Sequence, residues 1–387
     1  MTDDTASDAT AQAGGAGAGV PMLSQDDLEV VTHQIVAPDG SYDAADLPDL
    51  DDEQLLELFR WMKTSRIFSR RMVQLQRRGE MGTYGSERGQ EGSIVGAGYV
   101  LQPDDWLFIG RGWTAMFMQG VRMRDMILFW RGIEDAAKYF AEHNTMITIP
   151  IGSHLPLVTG LGWGMSLSSA DSVATAFFGD GATSTGAVHE AINFAGVLGA
   201  PVLLFCQNNR YAISTSVDRQ TRANTLAQRA LGYGIPAIRV DGNDVLAVYE
   251  AVSTARDLVR EGQPVFVESV TYRRGAHTTS DDATRYRSDE EVERWERRDP
   301  FDRFRTVLDA EGVLADVDVD AMEAEIDAEF DEALEAANAY EERSVEELFV
   351  HLYDELPPTL RRQLESFETF LDEHPEAYDY IEQRPKG

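Results

Sequence analysis

Residues 179–215 read GDGATSTGAVHEAINFAGVLGAPVLLFCQNNRYAIST, and this stretch decides the fold. Just upstream, Ser172 to Phe178 is apolar and β-prone. Gly179-Asp180-Gly181 then forms a turn, since Gly and Asp favour reversals. Thr185 to Leu198 has helical spacing, with Ile192, Ala195 and Val197 among its apolar members. Pro201 to Cys206 reads as a short buried strand, and Asn208-Asn209 follows it. Twenty-six residues, Ala182 to Gln207, separate the two polar turns. That length suits one helix and one returning strand, so both turns reach the same edge of a sheet.

The pattern continues in both directions. Thr225 to Leu231 is helical, Ala237 to Val240 is a strand, and Asp241-Gly242-Asn243-Asp244 is a turn and helix cap. Val245 to Arg260 is helical and Val265 to Tyr272 is a strand. Upstream, Leu55, Phe59 and Met62 recur at helical spacing within Asp51 to Arg78. Strands alternating with helices predict an α/β fold, a parallel sheet covered by helices on both faces. Ser288 to Arg298 and Ala321 to Glu342 read as acidic, exposed helices. The expected division is a tail and arm over residues 1–45, the α/β domain over 46–320 and an acidic helical segment over 321–387.

Ligands on such sheets sit beyond the carboxyl ends of the strands. There, Gly179 and Gly181 let the backbone approach a ligand. Ala182 to Thr185 are expected to begin a helix whose free N–H groups favour phosphate oxygens. Asp180 and Asn209 offer hard oxygen donors, which suit magnesium completed by phosphates. Gly-Asp-Gly alone is a common turn, but the pair of motifs after adjacent strands predicts a magnesium-diphosphate site.

Gly-Asp-Gly, 26 residues and Asn-Asn is also the thiamine diphosphate motif. With RVDGNDVLAVY (239–249), TYRRGAHTTSDDATRYRS (271–288) and ELPPTLRRQ (355–363), the chain resembles the alpha subunits of thiamine-diphosphate-dependent 2-oxoacid dehydrogenases, of pyruvate and branched-chain type. The resemblance implies that Asp180 and Asn209 bind magnesium through side chains and Tyr211 through its carbonyl. It places Gly181, Ala182 and Ile213 along the cofactor, and Ile151 beside its aminopyrimidine. Arg111 would hold the diphosphate, a task its planar fork suits. His277 would be the catalytic histidine, exchanging protons as a 2-oxoacid loses carbon dioxide and its acyl unit passes to a lipoyl group.

The chain has no second run of alternating strands and helices for a pyrimidine domain. The resemblance therefore implies a beta subunit, two alpha with two beta, and a lipoyl-bearing acyltransferase as a further partner. The isolated chain is expected to be inactive. Departures from the family gather near the substrate: Gly110 and Gly112 flank Arg111, Ile133-Glu134-Asp135 follow Arg131-Gly132, Gly85 replaces a bulkier residue, and Ala276 precedes His277. His154, where the family usually has Gln, reads as a packing group. An acetoin dehydrogenase-type subunit, a transketolase-like half protein and a non-catalytic cofactor-binding paralogue stay open as alternatives.

Composition adds habitat. The chain carries 67 acids against 34 bases, a net charge of −33, with three lysines. Such a surface repels nucleic acid and anionic membranes. Its self-repulsion is tamed by salt, so adaptation to high salt is expected. Cys206, the sole cysteine, excludes an internal disulfide and reads as core. No apolar run approaches the length of a membrane span. Met1 to Val20 lacks a basic start and an apolar segment, which predicts a disordered tail and a cytoplasmic protein.

Overall fold

The structure, a computed structural model, describes residues 30–133, 135–168, 170–278, 280–340, 345–350 and 352–376. The expected tail over Met1 to Val20, Glu134 of the altered loop, and Glu341 and Glu342 lie outside them. Nine strands are described: β1 (Thr32–His33), β2 (Trp106–Ile109), β3 (Thr145–Ile147), β4 (Ala174–Gly179), β5 (Val202–Asn208), β6 (Tyr211–Ala212), β7 (Thr215–Ser216), β8 (Ala237–Asp241) and β9 (Val265–Val270). Seven form one parallel sheet in the order β1-β8-β9-β5-β4-β2-β3. The short antiparallel pair β6 and β7 makes a separate hairpin just after β5.

The expected strands and helices around the motif are present, with ends moved by a residue or two. β1, β2 and β3 were not expected, because two to four residues carry too little periodicity to register. Every residue of β5 is buried, as a strand covered on both faces requires. Its side chains alternate between two cores. Leu203 and Phe205 join Phe177, Val265 and Val267 on one face. Val202, Leu204 and Cys206 join Phe178 and Phe266 on the other.

On the first face lie the helices Asp52–Arg77, Glu91–Val100, Val245–Arg260 and Pro300–Ala310. Asp51 and Gln54 close a capping box at the start of the first. Asp244 caps the Val245–Arg260 helix through Ala247 N–H. The same carboxylate also accepts from the N–H groups of Ile35 and Val36 at 2.8 and 2.6 Å, which docks the N-terminal arm. The second face is covered by His154–Ser168 and Gly186–Leu198. These two neighbouring helices leave Leu157, Trp163, Leu167, Phe194 and Val197 exposed.

The Val319–Asn338 helix corrects one expectation. It is acidic on its outer side but not exposed all round, because Ile326, Phe330 and Ala337 are buried. Phe330 reaches the first core and meets the ring of Phe68 edge-on at 5.6 Å. Arg60, Lys63, Arg70 and Arg71 of the Asp52–Arg77 helix pair with its carboxylates along the seam. By contrast, Asp289–Glu296 has no buried residue, as expected of an exposed helix.

Candidate cofactor site at the carboxyl edge of the sheet

The register of the sheet assembles the site. Phe178 pairs with Cys206 and Gly179 with Gln207, so Asp180 and Asn209 leave adjacent strands at the same level. Ile109 of β2 pairs with Phe177, which puts Arg111 at that edge on the other side of β4. Val270 of β9 pairs with Asn208, so the chain leading to His277 leaves there too. The chain leaves β2 towards β3 and leaves β4 towards β5. The crevice between β2 and β4 is therefore a topological switch point, the place where open α/β sheets bind ligands.

Asp180 is buried and accepts from Gln220 Nε2 at 2.6 Å. Burial raises its pKa, which expresses a demand for positive charge nearby. Asn209 donates to Gln90 Oε1 at 2.9 Å. Its own oxygen then lies 3.2 Å from Asp180 Oδ1 and 3.1 Å from the carbonyl oxygen of Tyr211. Turned over, the amide would donate to both. Asp180 Oδ1 and the Tyr211 carbonyl thus share one gap with the Asn209 side chain, a gap that the amide nitrogen can close in one orientation and a cation in the other. One carboxylate, one amide and one carbonyl would make a hard oxygen set, which suits magnesium better than zinc.

The other half of the site is cationic. Arg111 is buried and donates to the Ser86 carbonyl at 3.1 Å and the His277 carbonyl at 3.3 Å. Desolvation and the neighbouring Arg273 charge push its pKa down to about 10. Two buried guanidinium groups side by side, Arg111 and Arg273, make a seat for an anion. Arg273, fully buried, also donates to the Ile213 carbonyl at 2.7 Å and lies 3.5 Å from Asp281. It thereby ties the β6–β7 hairpin to the His277 loop. Asp281 anchors that loop by accepting from His277 N–H and from the Tyr286 hydroxyl, both at 2.6 Å.

His277 Nδ1 is buried without a hydrogen-bond partner among the described residues. Burial first, then Arg111 and Arg273, push the imidazole pKa down to about 3, so the ring is neutral at pH 7. Gln90 Nε2 and both side-chain polar atoms of Gln207 are likewise buried and unpartnered. Orphaned polar atoms are uncommon in folded chains, and these three residues belong to segments that meet at this edge of the sheet.

The remaining expected residues fall around it. A Cβ on Gly181 would lie 2.7 Å from Ala212, so hairpin packing requires glycine there, whereas Gly179 faces open space. Ala182 is buried in the second core. Ile213 is about half exposed at the hairpin tip with φ +54°. Ile151 is exposed on a turn whose next residue, Gly152, abuts Thr185 and Val188. The expected helix start at Ala182 is corrected. Asp180–Ser184 is a 3-10 turn, and the α-helix begins at Gly186. Thr183 and Thr185 hydroxyls bond back to the carbonyls of Asp180 and Ala182, which competes with α-helical bonding.

His154 proves structural. Its Nε2 donates to the Phe177 carbonyl at 3.1 Å, and its Nδ1 accepts from the Thr148 hydroxyl at 2.8 Å. Its ring also fills the space beside Gly110. Sequence reading gave no site role to Glu87, Gln90, Gln220 or Arg273, although Arg273 lies in the 271–288 stretch that carries the resemblance.

Compared with known proteins, residues 59–346 match the family described as "Dehydrogenase E1 component". The chain belongs to this family. Family members include a 3-methyl-2-oxobutanoate dehydrogenase subunit alpha from Mycobacterium tuberculosis (strain CDC 1551 / Oshkosh). It is 40% identical over 358 residues, covering 90% of this chain and 96% of the relative. A pyruvate dehydrogenase E1 component subunit alpha from Staphylococcus epidermidis (strain ATCC 35984) is 37% identical over 353 residues, covering 90% and 95%. A Staphylococcus aureus (strain Mu50) protein of the same name is 36% identical over 349 residues, covering 89% and 94%. No helix among the described residues is long and apolar enough to cross a membrane.

Proposed function

We propose that this chain is the alpha subunit of a thiamine-diphosphate-dependent 2-oxoacid dehydrogenase, acting on pyruvate or a branched-chain 2-oxoacid. The observation that carries the reading is the gathering at one edge of the sheet of Asp180, Asn209 and the Tyr211 carbonyl with two buried arginines, Arg111 and Arg273. A metal-bound diphosphate has that charge pattern.

Asp180, Asn209 and the Tyr211 carbonyl would hold magnesium. Arg111 would hold the diphosphate, with Gly181, Ala182, Ile151 and Ile213 along the cofactor. Thiamine diphosphate supplies the nucleophilic carbon and electron sink for decarboxylation. The protein's own part is orientation and proton transfer. His277, neutral and with Nδ1 unpartnered, can take a proton at a substrate or lipoyl atom. Arg111 and Arg273 beside it destabilise the imidazolium and so favour return of that proton.

The finer setting is part of the same reading. Two alpha and two beta subunits complete the site at their interface, and a lipoyl-bearing acyltransferase accepts the acyl unit. The acid excess supports a cytoplasm of high salt. The glycines near the substrate do not support an enlarged pocket. Arg111 occupies the space beside Gly85, and His154 that beside Gly110.

The test is co-expression with a beta subunit at high salt, with carbon dioxide release measured from pyruvate, 3-methyl-2-oxobutanoate and 4-methyl-2-oxopentanoate. Turnover of at least one is expected. Asp180→Ala should lower it by about a hundredfold or more, since outer partners of metal ligands alone are worth 10–100-fold. Cofactor binding without turnover of any 2-oxoacid would instead favour a non-catalytic paralogue.

A further inference from the structure

Arg111 stands between two glycines, Gly110 and Gly112, and the second has φ +114°. Such a backbone does not hold a side chain in place by itself, because glycine leaves the chain many alternatives. The restraint comes from a distant segment. Glu87 is fully buried, and its carboxylate accepts from the N–H of Trp113, from the Thr114 hydroxyl at 2.7 Å and from the Ser65 hydroxyl at 3.2 Å.

The lacing runs both ways. Trp113 Nε1 donates to the Gly85 carbonyl at 3.0 Å, and Arg111 donates to that of Ser86. Glu87 N–H in turn donates to Ser69 at 3.0 Å, which fixes this segment on the Asp52–Arg77 helix. The clamp therefore has a firm base and grips the turn on the side of Trp113.

We infer that Glu87 is the positioning residue for Arg111, holding the Gly110–Thr114 turn so that the guanidinium faces the diphosphate seat. A buried carboxylate is otherwise costly, and a core built only for stability would place an apolar residue there. Burial pushes the Glu87 pKa up to about 7 against the lowering effect of its donors and of Arg111. The inference rests on the diphosphate reading of Arg111.

The test uses the alpha–beta complex with magnesium, titrated calorimetrically with inorganic pyrophosphate and with thiamine diphosphate. Arg111→Ala and Glu87→Ala should each weaken pyrophosphate binding by about tenfold or more, as loss of orientation does. The double variant should bind no more weakly than Arg111→Ala alone, since both changes disable one device. Glu87→Gln should stay within about threefold, because its amide can keep all three contacts, accepting from Trp113 and donating to the two hydroxyls.

Unchanged affinity in Glu87→Ala, or losses that add in full, overturns the inference. If Arg111→Ala itself binds normally, the diphosphate reading falls first and this inference with it. Should Glu87→Ala fail to fold, Thr114→Val removes one donor and should weaken pyrophosphate binding by a smaller factor. No weakening there also counts against the clamp.

Discussion

At the scale of single residues, His154 shows how a setting fixes chemistry. Its ring nitrogens meet the Thr148 hydroxyl and the Phe177 carbonyl, and burial, which disfavours the charged ring, pushes its pKa down to about 4. The unfolded chain takes up this proton near pH 6.5, and the folded chain only near pH 4. Stability must therefore fall as pH drops through that window, by about 2 kcal/mol at pH 5 from this group. His154→Gln can keep both hydrogen bonds without a titrating ring. Urea unfolding at pH 7 and pH 5 should show a smaller acid loss in the variant, and an equal loss would refute this account. The legibility of single residues follows a similar logic. Asp180 and Asn209 could be read from the sequence because strand register alone brings them together. Gln220 reaches Asp180 across 40 residues, and Arg273 reaches Ile213 across 60, contacts that no local pattern announces.

At the scale of elements, the central strands and helices were legible because covered strands leave long apolar runs. The Val319–Asn338 helix was misread for a compositional reason. Its many acids and alanines hide a stripe of Ile326, Phe330 and Ala337 at helical spacing. Phe330 is fully buried between Phe68 and Arg71, whose guanidinium lies 4.5 Å above the ring. Phe330→Ala should thus cost about 3–5 kcal/mol, the range for deleting a core aromatic. Denaturant unfolding would measure it, and a loss under about 1 kcal/mol would mean that the stripe packs loosely. The ion pairs of Arg60 and Arg70 along the seam are largely exposed and contribute little beside it.

At the scale of the whole molecule, charge dominates. A net charge of −33 opposes compaction in dilute buffer. Raising potassium chloride from about 0.1 M to about 2 M shortens the screening length several-fold. The melting temperature should rise over that range, and a flat or falling trend would remove the high-salt reading. The same salt acts in the opposite sense on Leu157, Trp163, Leu167, Phe194 and Val197, the apolar side chains left uncovered by two adjacent helices. Once the carboxylates no longer keep copies apart, that patch governs whether the chain remains dissolved, and excluded salts drive such surfaces together. Solubility and resistance to unfolding should therefore peak at different salt concentrations. A fractionation scheme for the lone chain has to work in the interval between them.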